Sequence, residues 1–302
     1  QWRAVIKLAA NAKRVYVAGD DDQAIFRWAG ADVQTFIDLP GQLTVLPQSY
    51  RCAQHITTLA KDLIAHIHNR IPKQWRSRNE KGRVEKITDP FAHEGLDSGS
   101  WIILGRNRYM LKEYEEACRS RGYTYETSFG GLLQSTAVRA IVLWEQLRKG
   151  KSVTLPDAQL VYEYISVHKG IGRGGKSLLQ EQDGSSLISM AILKEKFKLI
   201  TTAVWHDALD KIPVEEREYY RACLRRGEKI LETPRIKIST IHAIKGGEAD
   251  NVILNTNMAR RTYEEWQQNY DDEFRVFYVA VTRARNNLYI LDPTARDYFN
   301  YL

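Results

Sequence analysis

The chain has 302 residues, 43% hydrophobic and 27% charged, with 44 basic against 37 acidic side chains, a net charge of +7 and an isoelectric point near 9.2. That length accommodates two domains with separate cores, and the composition excludes a disordered or fibrous chain. No apolar run approaches the roughly 20 residues of a membrane-spanning helix and no signal-peptide pattern opens the sequence, so a soluble, cytoplasmic protein is expected. Cys52, Cys118 and Cys223 are far apart with no CxxC pair, which favours reduced core thiols over a disulfide framework or a zinc site. Sixteen Tyr and seven Trp beside a basic excess fit a nucleic-acid binder, although many basic enzymes share that profile. The first residue is Gln1 rather than Met, which fits a fragment or a processed piece.

Taken in chain order, the apolar pattern alternates between two periods, as α/β architecture requires. Short β-branched runs at residues 14–18, 84–88, 101–104, 236–240, 252–255 and 287–291 predict strands. Between residues 53 and 68, Ile56, Leu59, Ala60, Leu63, Ile64 and Ile67 recur at three- and four-residue spacing and predict an amphipathic helix. Residues 127–232 show helical periodicity at 137–147, 160–167 and 187–209 with little strand signal, and read as a mostly helical insertion. Gly130-Gly131 and Thr233-Pro234 are its expected hinges. Residues 69–86 carry seven basic side chains, Arg70, Lys73, Arg76, Arg78, Lys81, Arg83 and Lys86, against Glu80 and Glu85, with Trp75 among them. A local balance of +5 beside an aromatic suits phosphate contact plus base stacking, and equally a solvated loop.

Four segments carry chemistry. The run at 14–18 leads into GDDDQAIFRWAGA (Gly19 to Ala31), where three acids and Gln23 stand at the point where α/β sheets bind ligands. An uncharged Gln can orient water or sense a phosphate without adding like charge. Gln48-Ser49-Tyr50-Arg51 then offers a stacking face and a guanidinium fork. STIHAIKGGEADNVIL follows the run at 236–240, and FYVAVTRARNNLYI closes the series. Singly, each has a bland reading as a polar turn, a surface pair or the core stripe of a helix. Their order is more informative than any one of them.

That ordered set resembles the UvrD/Rep family of superfamily 1 DNA helicases. The first segment looks like motif III, the Tyr-Arg segment motif IV, residues 101–106 with Asn107 the strand that follows, and the last two segments motifs V and VI. The likeness is strong at residues 13–52 and 236–291 and weak in the insertion. It implies a RecA-like, P-loop NTPase-type α/β fold with a mostly helical insertion. Residues 1–47 would be the end of a first RecA-like domain, 48–126 and 233–302 a second, and 127–232 the insertion. By the same resemblance Gln23 would meet the terminal phosphate of ATP and couple it to DNA, and Trp28 would stack on a base of the single strand. Tyr50 would stack on adenine, Arg51 reach the γ-phosphate, Glu248 bind the ribose, and Arg283 serve as an arginine finger. Thr240 and His242 would lie nearer the DNA. Ala29, where relatives often have Arg, and Gly247 and Ala249 beside Glu248 depart from the family pattern.

The family's GxxxxGK[ST] loop and DExx box, which hold triphosphate and Mg2+, do not occur among the 18 residues before Gly19. The metal ligands are therefore expected upstream, and none is assigned in this chain. His55, His66, His68, His93, His168 and His206 form no ligand set. The segment Gly170-Ile171-Gly172-Arg173-Gly174-Gly175-Lys176-Ser177 is a formal P-loop match, but no clean strand precedes it. It also lies where the family carries a Gly-Ile-Gly loop that meets duplex DNA, so Gly170 and Gly172 are candidate DNA contacts. The expectation is the rear part of an ATP-dependent DNA helicase, acting on single-stranded DNA at a duplex junction and without ATPase activity of its own. A DNA-binding or partner-docking module, and a compact NTPase using Lys176, are the competing readings.

Overall fold

The computed structural model describes residues 2–91, 94–184 and 186–302; Gln1 and His93 lie outside the described residues. The chain forms two compact units, one of residues 1–115 with 235–302 and the other of residues 116–234.

In the first unit, five strands form a parallel sheet: β1 (Arg83–Ile87), β2 (Trp101–Gly105), β3 (Ile236–Thr240), β4 (Ala249–Asn255) and β5 (Ala284–Leu291). Their spatial order is β1-β5-β4-β2-β3. The central strand β2 is buried along its whole length, as expected of a parallel strand covered on both faces. The helices are α1 (Trp2–Ala9), α2 (Val33–Ile37), α3 (Gln54–Ala65), α4 (Arg260–Gln268) and α5 (Tyr270–Val281). Helix α3 buries Ile56, Ala60, Leu63 and Ile64, the stripe its periodicity predicts, and packs on α5. Helix α5 is buried from Glu273 to Val281, nearly all round, which suits an element enclosed by sheet, helix and tail.

One predicted strand is absent. Residues 14–18 join no ladder, and Val15, Tyr16 and Val17 stay exposed. β-branched residues favour strands, but a strand also needs a neighbour for its backbone groups, and none lies beside this run among the described residues.

The second unit is mostly helical around its own core of Trp144, Tyr162, Leu193, Leu209 and Tyr219. Its helices include Thr136–Arg148, Leu155–Glu163, Met190–Phe197 and Val214–Arg226. Ser135, Thr154 and Ser189 cap the first three by accepting a backbone N–H of the opening turn. Two predicted spans are broken up. The helix expected at 160–167 begins earlier and ends at Glu163, and residues 187–209 divide into Leu187–Ile188 paired with Val153–Thr154, a helix, a loop and the short helix Trp205–Ala208. Gly130-Gly131 lies in a hairpin with Tyr125–Thr127 rather than at a plain hinge. All three cysteines are free and buried.

Candidate functional site

Asp20 caps the one-turn helix Asp21–Gln23, accepting the N–H of Asp22 at 3.2 Å. Its other oxygen accepts Gln23 Nε2 at 2.7 Å, so the Gln23 amide is held by its own turn. The three neighbouring carboxylates are then neutralised from the basic run. Lys73 Nζ lies 2.7 Å from Asp20 and 2.9 Å from Asp22 and also pairs with Asp21, while Arg70 grips Asp22 with two bonds of 2.8 Å. The carboxylates are close enough together to share a cation, and the Lys73 ammonium supplies that charge from within the chain. Asp21 and Asp22 are buried, so losing a partner would leave an uncompensated charge at a cost of roughly 3–5 kcal/mol.

This pairing changes the reading of the basic run at 69–86. Arg70 and Lys73 are turned inward on the acids, and Arg78 donates to Arg285 O at 2.8 Å and Asn286 Oδ1 at 2.7 Å. Half-burial of these cations against acids and carbonyls removes much of the +5 from any phosphate-binding face.

Gln23 lines two cavities. One, of 630 Å³, is bounded by residues 16–21, Arg51, Cys52, Lys73, Tyr278 and Thr282. On its wall Arg51 pairs with Glu248, which also accepts Arg285 Nη1 at 3.2 Å. Arg283 is fully buried: it donates to Val279 O at 2.8 Å, Gly247 O at 3.0 Å and Thr282 Oγ1 at 3.1 Å. Burial, with Arg51 nearby, pushes its pKa down to about 10. Gln23, Arg51, Glu248 and Arg283 are thus brought into one region, with Arg283 held by carbonyls rather than projecting into the cavity. Tyr50 is 82% exposed and faces solvent.

The other cavity, of 780 Å³, is lined by Gln23, Phe26, Thr240, His242, Ala243, Lys245 and Gly246. Trp28 stands beside it, 75% exposed, with ring centroids 6.2 Å from Phe26 and 6.4 Å from His242. This aromatic trio leaves the indole face open for stacking. The His242 pKa is lowered to about 4, first by burial and then by Arg106, so the ring is neutral at pH 7 and offers a π-face rather than a cation. Lys245, not singled out from sequence, donates to Gln23 O at 2.6 Å and lies over the Phe26 ring. It belongs to the STIHAIKGGEADNVIL segment, which was the available signal. Arg106, bound to buried Glu273 by bonds of 2.8 and 2.7 Å, and Arg275 were also missed, because their acceptors are more than 160 residues away.

The formal P-loop match lies in the second unit. A helix, Leu155–Glu163, precedes it where a P-loop needs a strand. Gly170 and Ile171 donate their amides to Ser166 O, and Gly172 donates to Lys198 O. Gly170 is buried, whereas Lys169 and Arg173 are exposed, so the outward chemistry of this loop is cationic side chains. Lys176, its pKa lowered to about 8 by burial and by Lys211, lies 3.5 Å from Glu163 O. His66 is stacked on Phe274, and His68 bonds Asp271. No helix is long and apolar enough to cross a membrane among the described residues.

Residues 220–292 match the UvrD-like helicase C-terminal domain, and residues 1–43 match the UvrD/REP helicase N-terminal domain. A probable DNA helicase II homolog of Mycoplasma pneumoniae is 21% identical over 96% of this chain and 52% of its own length. The ATP-dependent DNA helicase PcrA of Leuconostoc citreum is 35% identical over 37% of this chain and 15% of its own. A crystal structure of the C-terminal domain of a possible DNA helicase from Lactobacillus plantarum WCFS1 covers 83% of this chain and 95% of its own at 12% identity and a TM-score of 0.31. The chain spans about half the length, or less, of these curated relatives. Its two ends match the two domains of one family, and the chain is related to the UvrD/Rep-like DNA helicases.

Proposed function

We propose that this chain is the C-terminal portion of an ATP-dependent DNA helicase that couples ATP hydrolysis to translocation on single-stranded DNA and to duplex unwinding. The observation that carries the reading is the position of Gln23 on the walls of both cavities, one bearing Arg51 and the other flanked by Trp28 and His242. A change of partner at Gln23 on the phosphate side is felt on the stacking side through the same turn and through Lys245. ATP suits the first cavity: Arg51 supplies a guanidinium group for a polyphosphate, Glu248 an acceptor for a ribose hydroxyl, and Arg283 would join them only on exchanging its present carbonyl partners for the phosphate. Tyr50 is free to close over a base. For Mg2+ the acidic triplet is a poor host, since its charge is already balanced by Lys73 and Arg70.

In this reading residues 1–47 complete a first RecA-like domain, 48–126 and 233–302 form the second, and 127–232 is the insertion. Trp28, Thr240 and His242 meet the single strand. The loop of Gly170 and Gly172 meets the duplex, with Lys169 and Arg173 contributing the phosphate contacts and the glycines the tight fold beneath them.

The test is DNA-stimulated ATPase of the full-length parent. Arg283→Ala and Gln23→Ala should each remove most of it while single-strand affinity persists, the arginine by about three orders of magnitude if it acts as a finger. Turnover unchanged by both substitutions would refute the assignment.

A further inference from the structure

Arg275, in the second turn of α5, is only 2% exposed. Its Nε donates to Asp21 O at 3.1 Å and its Nη2 to Asn69 O at 2.5 Å, while Asp272 stands 3.5 Å from Nη1. Stability gives a weak reason for a guanidinium here. Desolvating it costs several kcal/mol, a cost that an apolar side chain of similar volume at this position would avoid.

Its acceptors give a stronger reason. Asp21 opens the turn that carries Gln23, and Asn69 adjoins Arg70 and Lys73, which hold that turn's carboxylates. Asn69 is gripped a second time by α5, since Asp271 accepts its N–H at 2.9 Å and that of His68 at 3.0 Å. The same helix ends at Val281, and Thr282 caps it with Arg283 directly after. One rigid element therefore bears Arg283 at its end and, through the fork of Arg275, fixes the turn of Gln23. Two carbonyls on separate segments need two donors at a fixed angle, which Arg provides and Lys does not.

We propose that Arg275 is a positioning residue that sets Gln23 against Arg283, so that the single-strand side and the phosphate side of the site move as one. The proposal deepens the helicase reading and rests on it.

The experiment compares Arg275→Met and Arg275→Lys in the full-length parent by steady-state ATPase over a single-stranded DNA titration, with thermal melting as a check on folding. The expected result for Arg275→Met is a kcat at saturating DNA lower by about 100-fold, the scale of a misplaced catalytic group, with the KM for ATP and the DNA Kd changed by no more than about threefold. Arg275→Lys should recover about tenfold of that loss, because one of the two bonds is restored. Lowered melting with wild-type kcat in both variants would overturn the proposal. Should Arg275→Met not fold, Arg275→Lys decides: a reduced kcat in folded protein supports the assignment and a wild-type kcat overturns it. A wild-type parent without DNA-stimulated hydrolysis would overturn the helicase reading and this inference with it. Normal wild-type hydrolysis with unaffected variants would overturn the inference alone.

Discussion

His242 shows how burial selects a residue's chemistry. An exposed imidazole would be partly cationic near pH 6.5, but this ring is half-buried beside Arg106 and Lys245, against which only the Ile25 backbone favours the proton. The unfolded chain therefore takes up a proton on His242 that the folded chain refuses. That difference is absent above pH 6.5 and grows as pH falls towards 4, where it costs at most about 3 kcal/mol of stability. Chemical denaturation of wild type and His242→Gln at pH 7.5 and pH 4.5 should show a steeper acid loss in the wild type. Equal losses would mean that the ring titrates as it does in solvent. At the same scale, the Arg51–Glu248 pair and the carbonyl-bound Arg283 keep the cations of the candidate phosphate site engaged with the protein itself.

Among elements, α5 and the C-terminal tail depend on each other. Phe299 is buried against α5, with ring centroids 4.0 Å from Phe277, 5.2 Å from Phe274 and 5.2 Å from Trp266. Its backbone N–H also donates to Thr256 O at 2.9 Å, tying the tail to the end of β4. The tail covers the helix whose other faces hold Arg275 and Glu273. Phe299→Ala should cost about 3–5 kcal/mol, the range for removing a large aromatic from a core. A urea midpoint within error of wild type would show that the tail is not part of the packing that supports the site.

For the whole molecule, the two units have separate cores, and the second rests on Trp144, which is fully buried and donates Nε1 to Ala203 O at 3.0 Å. Trp144→Ala should destabilise residues 116–234 by about 3–5 kcal/mol. Amide exchange in that unit would then accelerate by at least 100-fold wherever it proceeds through unfolding of the unit, and unchanged protection would sink the prediction.

Much of this was legible in one dimension. The strands at 101–104 and 236–240 and the stripe of α3 follow from apolar spacing, whereas Gln23, Arg51, Glu248 and Arg283 are singled out only through the resemblance of their segments to a known family, and their roles stand as proposals. Such signals are local, because side-chain alternation and short motifs are complete within a dozen residues. The pairing of Lys73 with the acidic triplet, the grip of Arg275 on Asp21 and the engagement of Arg70 by Asp22 could not be read that way. Each joins residues about 50 or more positions apart, and Arg70 and Lys73 in sequence look the same whether they face solvent or an acid. The run at 14–18 failed as a strand for a related reason, since pairing is a property of two segments. Sequence by itself determined the alternation of elements and the identity of the chemical groups. Tertiary structure alone decided which charges were neutralised and which stayed available, because desolvation and ion pairing depend on distance in space rather than along the chain.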